Sequence, residues 1–158
     1  MNTFEMLLRV GTGVGLGAVI GIERQYRARM AGLRTNALVA VGATLFVLLS
    51  AHGFGGLNTS GDADPTRVAA QIVSGIGFLG AGVILRDGLN VRGLNTAATL
   101  WCSAAVGSLA GAGLYVVALA GTGVIVGVNV LLRPLGRVVD RRPENRDECS
   151  EQEEPERA

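Results

Sequence analysis

The sequence predicts an all-α fold: a compact, glycine-rich bundle of five transmembrane helices with the N-terminus outside and the C-terminus in the cytoplasm. Hydrophobic residues make up 49% of the 158-residue chain, which contains 24 glycines. Charged residues lie mainly between long apolar runs, a pattern that excludes an ordinary soluble domain. The run from Val68 to Leu85 contains no charged residue. As a helix it would reach about 27 Å, close to the hydrocarbon thickness of a bilayer.

Five apolar runs have the length of a membrane span. They cover residues 6–22, 35–51, 68–85, 96–112 and 114–132. Each is close to the shortest helix that can cross a bilayer, and only a helix or a closed barrel can satisfy its backbone hydrogen bonds there. The last connection, around Gly111 to Gly113, is only a few residues long. Four spans with one re-entrant segment is therefore the alternative.

The arginines between the apolar runs predict the orientation. They follow the first, third and fifth runs: Arg24, Arg27, Arg29 and Arg34, then Arg86 and Arg92, then Arg133, Arg137, Arg141 and Arg142. Because positive side chains favour the cytoplasmic side of a membrane, these three connections should lie inside. The connection after His52 carries Asp62 and Asp64 and should lie outside.

Residues 1–135 form the predicted membrane domain, and residues 136–158 form a predicted acidic cytoplasmic tail. From Asp140 onward the chain carries four arginines and eight acidic residues, a composition typical of disordered segments. Cys102 lies in an apolar run and Cys149 in the tail, so no disulfide is expected. The sequence has no lysine, which excludes Schiff-base chemistry and a phosphate-loop lysine.

Glycines at helical spacing predict close packing of the helices. Small residues four positions apart let two helix backbones approach closely in a membrane. The pairs are Gly11 with Gly15, Gly13 with Gly17, Gly17 with Gly21, Gly107 with Gly111, Gly123 with Gly127, and Gly77 with Ala81. Gly75, Gly77 and Gly80 also match the G-x-G-x-x-G dinucleotide motif. That motif needs a preceding strand and a later acidic residue, so helix packing is the favoured interpretation.

Polar residues at the ends of the spans and inside them are candidates for contact with a ligand or a partner. Glu23 and Arg24 end the first span, where they could pair, bind a lipid phosphate or dock a partner. The alternative is a simple interfacial anchor. Polar groups inside a bilayer need hydrogen-bond partners and should face other helices. These groups are Asn36, Gln71, Ser74, Asn95, Thr96, Thr99, Cys102 and Ser103.

The sequence predicts no catalytic, cofactor or metal site. The single histidine, His52, has no acidic residue or cysteine near it, and no H-E-x-x-H or C-x-x-C pattern occurs. A proton or cation pathway usually shows an acidic residue in mid-membrane. Glu5 and Glu23 lie at span ends instead, which weakens a transport interpretation.

Three segments resemble the core motifs of the MgtC/SapB family of membrane proteins. They are GAVIGIERQYRARMAGLRTNALVAVGA, RVAAQIVSGIGFLGAGVI and VRGLNTAATLWCSAAVG, in that order along the chain. The resemblance covers nearly all of residues 10–132. The family residues that it carries over to this sequence are Glu23, Arg24, Gly32, Arg34, Thr35, Gln71, Gly75, Gly77, Gly80, Gly82, Asn95, Trp101 and Cys102.

The resemblance implies a non-enzymatic regulatory protein of the bacterial inner membrane. Such a protein supports growth under magnesium limitation and, in an intracellular pathogen, survival inside macrophages as a virulence factor. The implied partners are the lipid bilayer, a membrane complex such as the F-type ATP synthase, a small regulatory membrane peptide and further copies of the chain, with no nucleic acid among them. The alternative is a transporter or channel for magnesium or another cation.

The resemblance also sets an expectation for the end of the chain. Longer members of the family add a soluble cytoplasmic domain of the ACT type after the fifth span, where this sequence has the acidic tail. The expectations that follow from the resemblance therefore do not include functions that reside in that domain, such as sensing or dimer contacts.

Overall fold

The computed structural model describes residues 2–53, 66–87 and 90–139. The helices are α1 (Thr3–Tyr26), α2 (Leu33–His52), α3 (Thr66–Val83), α4 (Leu94–Gly111) and α5 (Tyr115–Val139), and the strands are β1 (Leu85–Asp87) and β2 (Asn90–Arg92). A helix is present at each of the five predicted spans. Residues 1–126 and residues 127–158 form separate units, so α5 begins in the first unit and enters the second.

The helix boundaries differ from the predicted spans by one to seven residues, and two of these differences change the assignment of a segment. The third predicted span reaches Leu85, but α3 ends at Val83, and Leu85 pairs with Arg92 in an antiparallel hairpin. The structure is mostly helical, in agreement with the all-α prediction, and it adds the hairpin of β1 and β2. The sequence does not predict this hairpin, because strands of three residues are too short to show an alternating pattern. The second difference is in α5, which continues past Leu132 to Val139.

Parts of the prediction lie outside the described residues. These are the connection that carries Asp62 and Asp64 and the acidic segment that begins at Asp140. Of the predicted tail, residues 136–139 are helical and belong to α5.

The surface of the described residues is that of a membrane protein. The α1 helix, the α2 helix and the Tyr115–Leu132 part of α5 are long and apolar enough to cross a membrane. The apolar stretch found in α3, Ala69–Val83, is shorter. Large apolar side chains point outward, with Phe78 and Val116 each 82% exposed. Such a surface is stable in lipid and unfavourable in water. The count of five spans and the orientation stay predictions.

Glycines on one face of α1 bring this helix against α2. Gly13, Gly17 and Gly21 each meet α2 so closely that an added Cβ would collide with it. At Gly17, for example, the Cβ would lie 2.8 Å from the backbone oxygen of Asn36. Gly15 lies on the other face of α1 and has nothing within 4 Å. The predicted close packing is thus confirmed for one glycine face of α1 and not for the other.

Glycines of α4 complete the contact with α2. A Cβ at Gly107 would overlap the carbonyl of Ala40, and one at Gly111 would lie 2.8 Å from the backbone oxygen of Thr44. The Thr44 hydroxyl donates a hydrogen bond of 2.8 Å to the carbonyl of Gly107. The residue numbers increase together along this contact, from Gly107 at Ala40 to Gly111 at Thr44, so α2 and α4 run parallel. Along the contact of α1 with α2 the residue numbers of one helix rise as those of the other fall, so these two helices run antiparallel.

This arrangement brings the first two predicted cytoplasmic connections, α1 to α2 and α3 to α4, to one end of the first unit. A Cβ at Gly21, near the end of α1, would lie 2.9 Å from the backbone oxygen of Gly32, just before α2. Gly93 precedes α4 with a φ of 93°, and its α-carbon lies so close to the carbonyl of Val83 that no side chain fits. The positive φ is the second reason that glycine is required there. The end of α1, the start of α2, the end of α3 and the start of α4 therefore share one end.

Arg9 holds the opposite end together. Its Nη1 donates a hydrogen bond of 2.8 Å to the carbonyl of Gly111, at the end of α4. Its Nη2 lies 2.6 Å from Oε1 of Glu5, one turn earlier on α1. A guanidinium at a helix C-terminus satisfies a free carbonyl and complements the helix dipole. Arg9 thereby joins α1 to the turn between α4 and α5.

Candidate functional site

Arg24 lies at the centre of a polar cluster at the arginine-rich end of the first unit. It occupies the last turn of α1 and is only 2% exposed. Its Nη2 donates a 2.6 Å hydrogen bond to Oγ1 of Thr96, and its Nη1 donates a longer one, 3.4 Å, to Oδ1 of Asn95. Asn95 and Thr96 belong to the first turn of α4. The tertiary structure thus brings together Arg24 and Asn95, two candidate site residues that lie in separate sequence motifs.

Glu23 adds a carboxylate to this end of α1. Its Oε1 lies 2.5 Å from Nε of Arg27, an ion pair between residues four apart on α1. Within residues 2–53, 66–87 and 90–139, Oε2 of Glu23 is buried without a hydrogen-bond donor. Nε of Arg24 is buried without an acceptor in the same part of the chain. One carboxylate oxygen and one guanidinium nitrogen of the cluster therefore remain unpaired in the described part of the chain.

The cluster has the composition of an anchoring or anion-binding site. Arginine and asparagine side chains can hold anions, and the one carboxylate is already paired with Arg27. Among the residues that the structure describes, no group of three or more His, Cys, Asp or Glu side chains could hold a metal ion. The cluster joins α1 to α4 through charge-assisted hydrogen bonds, which are stronger than neutral ones.

A second polar contact joins the first turn of α2 to α4. Asn36 is fully buried, and its Oδ1 accepts a hydrogen bond of 2.8 Å from the hydroxyl of Ser103. Its Nδ2 donates to the carbonyl of Gly32 at 2.9 Å and to that of Ala31 at 3.1 Å. Asn36 thus satisfies its amide within the protein, as the sequence analysis predicts for polar groups inside spans.

A groove of about 820 Å³ lies between α2, α3 and α4. Four of the predicted site residues line it, namely Arg34, Thr35, Gln71 and Gly75. The rest of the lining is apolar and includes Leu38, Phe46, Ile72 and Leu79. The four residues lie in two different motifs, so the sequence does not predict that they border a common space.

The remaining predicted site residues occupy α3 and α4. Gly80 is buried, and a Cβ there would lie 3.5 Å from the Cβ of Ala97. Gly77 and Gly82 are exposed and have nothing within 4 Å. On α4, Trp101 is half exposed and Cys102 is half-buried. The structure therefore does not bring these residues into the Arg24 cluster.

Three residues that take part in these contacts are missing from the predicted site. Thr96, Asn36 and Ser103 were recognised only as polar groups that should face other helices. Their burial is the signal that distinguishes them, since Asn36 and Ser103 are 0% exposed and Thr96 is 5% exposed. A sequence alone does not show which polar residues of a span will find each other.

Comparisons with known proteins agree with the motifs. Residues 10–138 match the model of the MgtC family. A protein named MgtC from Brucella abortus is 65% identical over 125 residues, which are 79% of this chain and 50% of that protein. Protein MgtC from Salmonella typhimurium is 57% identical over 143 residues, 90% of this chain and 59% of that protein. An uncharacterised protein from Synechocystis is 55% identical over 143 residues, 90% of this chain and 58% of that protein.

The chain spans only part of these relatives. It matches 50% to 59% of the length of the three proteins named above. No solved structure matches the chain.

Proposed function

Because the chain belongs to the MgtC family, we propose that it is a non-enzymatic regulatory protein of the bacterial inner membrane. It crosses this membrane several times and supports growth under magnesium limitation. In an intracellular pathogen it would also support survival inside macrophages. It acts by helix contacts with another membrane complex, and the F-type ATP synthase is the partner that we propose first.

The observation that carries this proposal is an exposed face of small residues on α3. Ser74, Gly77 and Ala81 are spaced three and four positions apart, so they lie on one side of the helix. All three are exposed, and a Cβ at Gly77 would have nothing within 4 Å. Small residues at this spacing support close helix association in membranes. On α1, Gly13, Gly17 and Gly21 are covered by α2, whereas this face of α3 is available to a second protein.

The polar contacts support this function by holding the face in place. The hydrogen bonds of Arg24 join α1 to the start of α4, and α4 follows α3 through the short hairpin of β1 and β2. A face that is fixed before binding loses less conformational entropy when a partner docks. The same contacts use Arg24 as a structural residue, which agrees with a role other than catalysis.

Gly77→Leu tests the proposal, with Gly15→Leu as its matched control. Both glycines are exposed and helical with open space around them, so both variants should fold and insert. We expect Gly77→Leu to lose co-purification of ATP synthase subunits and growth in low magnesium, and Gly15→Leu to retain both. Wild-type behaviour of an inserted Gly77→Leu variant in both assays would overturn the proposal.

Gly80→Leu answers a different question. Gly80 is buried against Ala97, so a large side chain there disturbs the packing of α3 on α4. Loss of function in this variant would report on folding and would not identify a partner surface.

Cation transport is the alternative, and one observation favours it. Oε2 of Glu23 is buried without a hydrogen-bond donor in the described part of the chain, as an ion ligand could be. Two arginines lie beside it, however, and positive charge opposes the entry of a cation. Magnesium uptake into liposomes that contain the purified protein, above that of empty liposomes, would favour transport over regulation.

A further inference from the structure

We propose that the groove between α2, α3 and α4 binds an anionic phospholipid. An acyl chain of the lipid fills the apolar part of the groove, and its phosphate pairs with Arg34. This inference does not rest on the proposed regulatory function.

The size and the lining of the groove suit an acyl chain. About 820 Å³ of space is bordered mainly by apolar side chains, among them Leu38, Phe46 and Ile72. Gly42 and Gly75 widen it, because a Cβ at either position would meet nothing within 4 Å. Water does not fill such an apolar space at membrane depth, whereas a hydrocarbon group fits it. Lipid acyl chains are the most abundant hydrocarbon groups in a bilayer.

Arg34 places a positive charge at one end of the groove, where it can pair with a lipid phosphate. Arg34 is the second residue of α2 and lines the groove together with Thr35. No acidic residue pairs with Arg34 in the part of the chain that the structure describes. It lies at the end of the unit where α1 ends and α4 begins, the level expected for a lipid headgroup. Basic pockets between membrane helices at this level are suited to anionic headgroups.

A phospholipid fits both features better than a second helix does. A helix from another protein would fill the apolar part, but it would also need an acidic residue at the level of Arg34. An anionic phospholipid carries the hydrocarbon chain and the negative charge in one molecule. The phospholipid also matches the positions of Arg34 and the apolar lining, because its charge lies at the membrane surface and its acyl chain extends inward.

The experiment is native mass spectrometry of the full-length protein, freed of lipid in detergent and titrated with phosphatidylglycerol or phosphatidylethanolamine. Arg34→Gln removes the charge, and Arg29→Gln is its control, since Arg29 is an exposed arginine just before α2 that does not line the groove. Gly75→Leu fills the groove, and Gly15→Leu is its control on α1. All four positions are exposed, so the variants should retain the fold.

We expect the wild-type protein and both controls to bind phosphatidylglycerol in preference to phosphatidylethanolamine. Arg34→Gln should lower binding of phosphatidylglycerol about fivefold, the change that corresponds to about 1 kcal/mol for one arginine beside an anionic lipid. Gly75→Leu should lower the binding of both lipids. The inference would be overturned by equal binding of the two lipids to the wild type. Unchanged phosphatidylglycerol binding in Arg34→Gln or Gly75→Leu would also overturn it. A dimer of the chain that Gly75→Leu dissociates without changing lipid binding would show that a second copy occupies the groove, and it would overturn the inference as well.

Discussion

Nη2 of Arg24 on α1 lies 2.6 Å from Oγ1 of Thr96 on α4, which joins two buried side chains 72 residues apart in the sequence. A guanidinium cannot lose its proton at ordinary pH, so a buried arginine keeps its charge and needs acceptors. Thr96 supplies the shorter of the two acceptor contacts, and Asn95 supplies the longer one. The hydroxyl of Thr96 is therefore the acceptor whose loss Arg24 should tolerate least.

Thr96→Val should destabilise the protein. Valine has nearly the same shape but cannot accept the hydrogen bond, so the free energy of unfolding should fall by about 1.5–3 kcal/mol. Unfolding of the purified protein in mixed micelles with increasing dodecyl sulfate measures the change. Thr35→Val is the control, because Thr35 is exposed and should change stability by less than about 0.5 kcal/mol. Equal stability of the two variants would show that the contact with Arg24 contributes little.

Two glycine-to-alanine substitutions should have opposite outcomes. A Cβ at Gly107 would overlap the carbonyl of Ala40, whereas one at Gly15 would meet nothing within 4 Å. We expect Gly107→Ala to lower the free energy of unfolding by about 1–3 kcal/mol, because backbone cannot move aside as a flexible side chain can. Gly15→Ala should be neutral or stabilising by up to about 1 kcal/mol, the difference in helix propensity. The same unfolding assay compares them, and a stable Gly107→Ala variant would contradict the observed contact of α2 with α4.

Cysteine labelling in cells tests the predicted orientation. In a background with Cys102→Ser and Cys149→Ser, we expect Thr3→Cys to react with a membrane-impermeant maleimide in intact spheroplasts. Arg29→Cys should react only after the membrane is permeabilised, because the arginine-rich connections are predicted to be cytoplasmic. Thr3 and Arg29 are both exposed, so a difference in labelling reports on their side of the membrane. The reverse pattern would mean that the N-terminus is inside.

The sequence predicted the helices well and the short hairpin not at all. A run of apolar residues between arginines is visible in the sequence wherever it occurs, so a helix is found at every predicted span. Leu85 belongs to the same apolar run as Val83, and nothing in composition separates the end of α3 from the start of β1. At this break the carbonyl of Val83 lies against Gly93, a contact that forms only when the chain has folded back.

Glycine spacing predicted which residues could pack closely but not which of them do. Gly13 and Gly15 belong to equivalent G-x-x-x-G pairs in the sequence, yet only Gly13 meets α2. Gly77 is exposed although Gly80, one turn later on α3, is buried. Spacing defines the faces of a helix, whereas the choice of the covered face depends on where the neighbouring helices lie.

The sequence by itself determined that this chain forms apolar helices with glycine faces, and its motifs indicated the family. Hydrophobicity and spacing are local properties, and they act before any helix meets another. Only the tertiary structure decided that Arg24 reaches Thr96, that Asn36 reaches Ser103, and that Arg34 borders an apolar groove. These relationships join residues from different helices, and they depend on the register in which the glycines of α1 and α4 pack against α2.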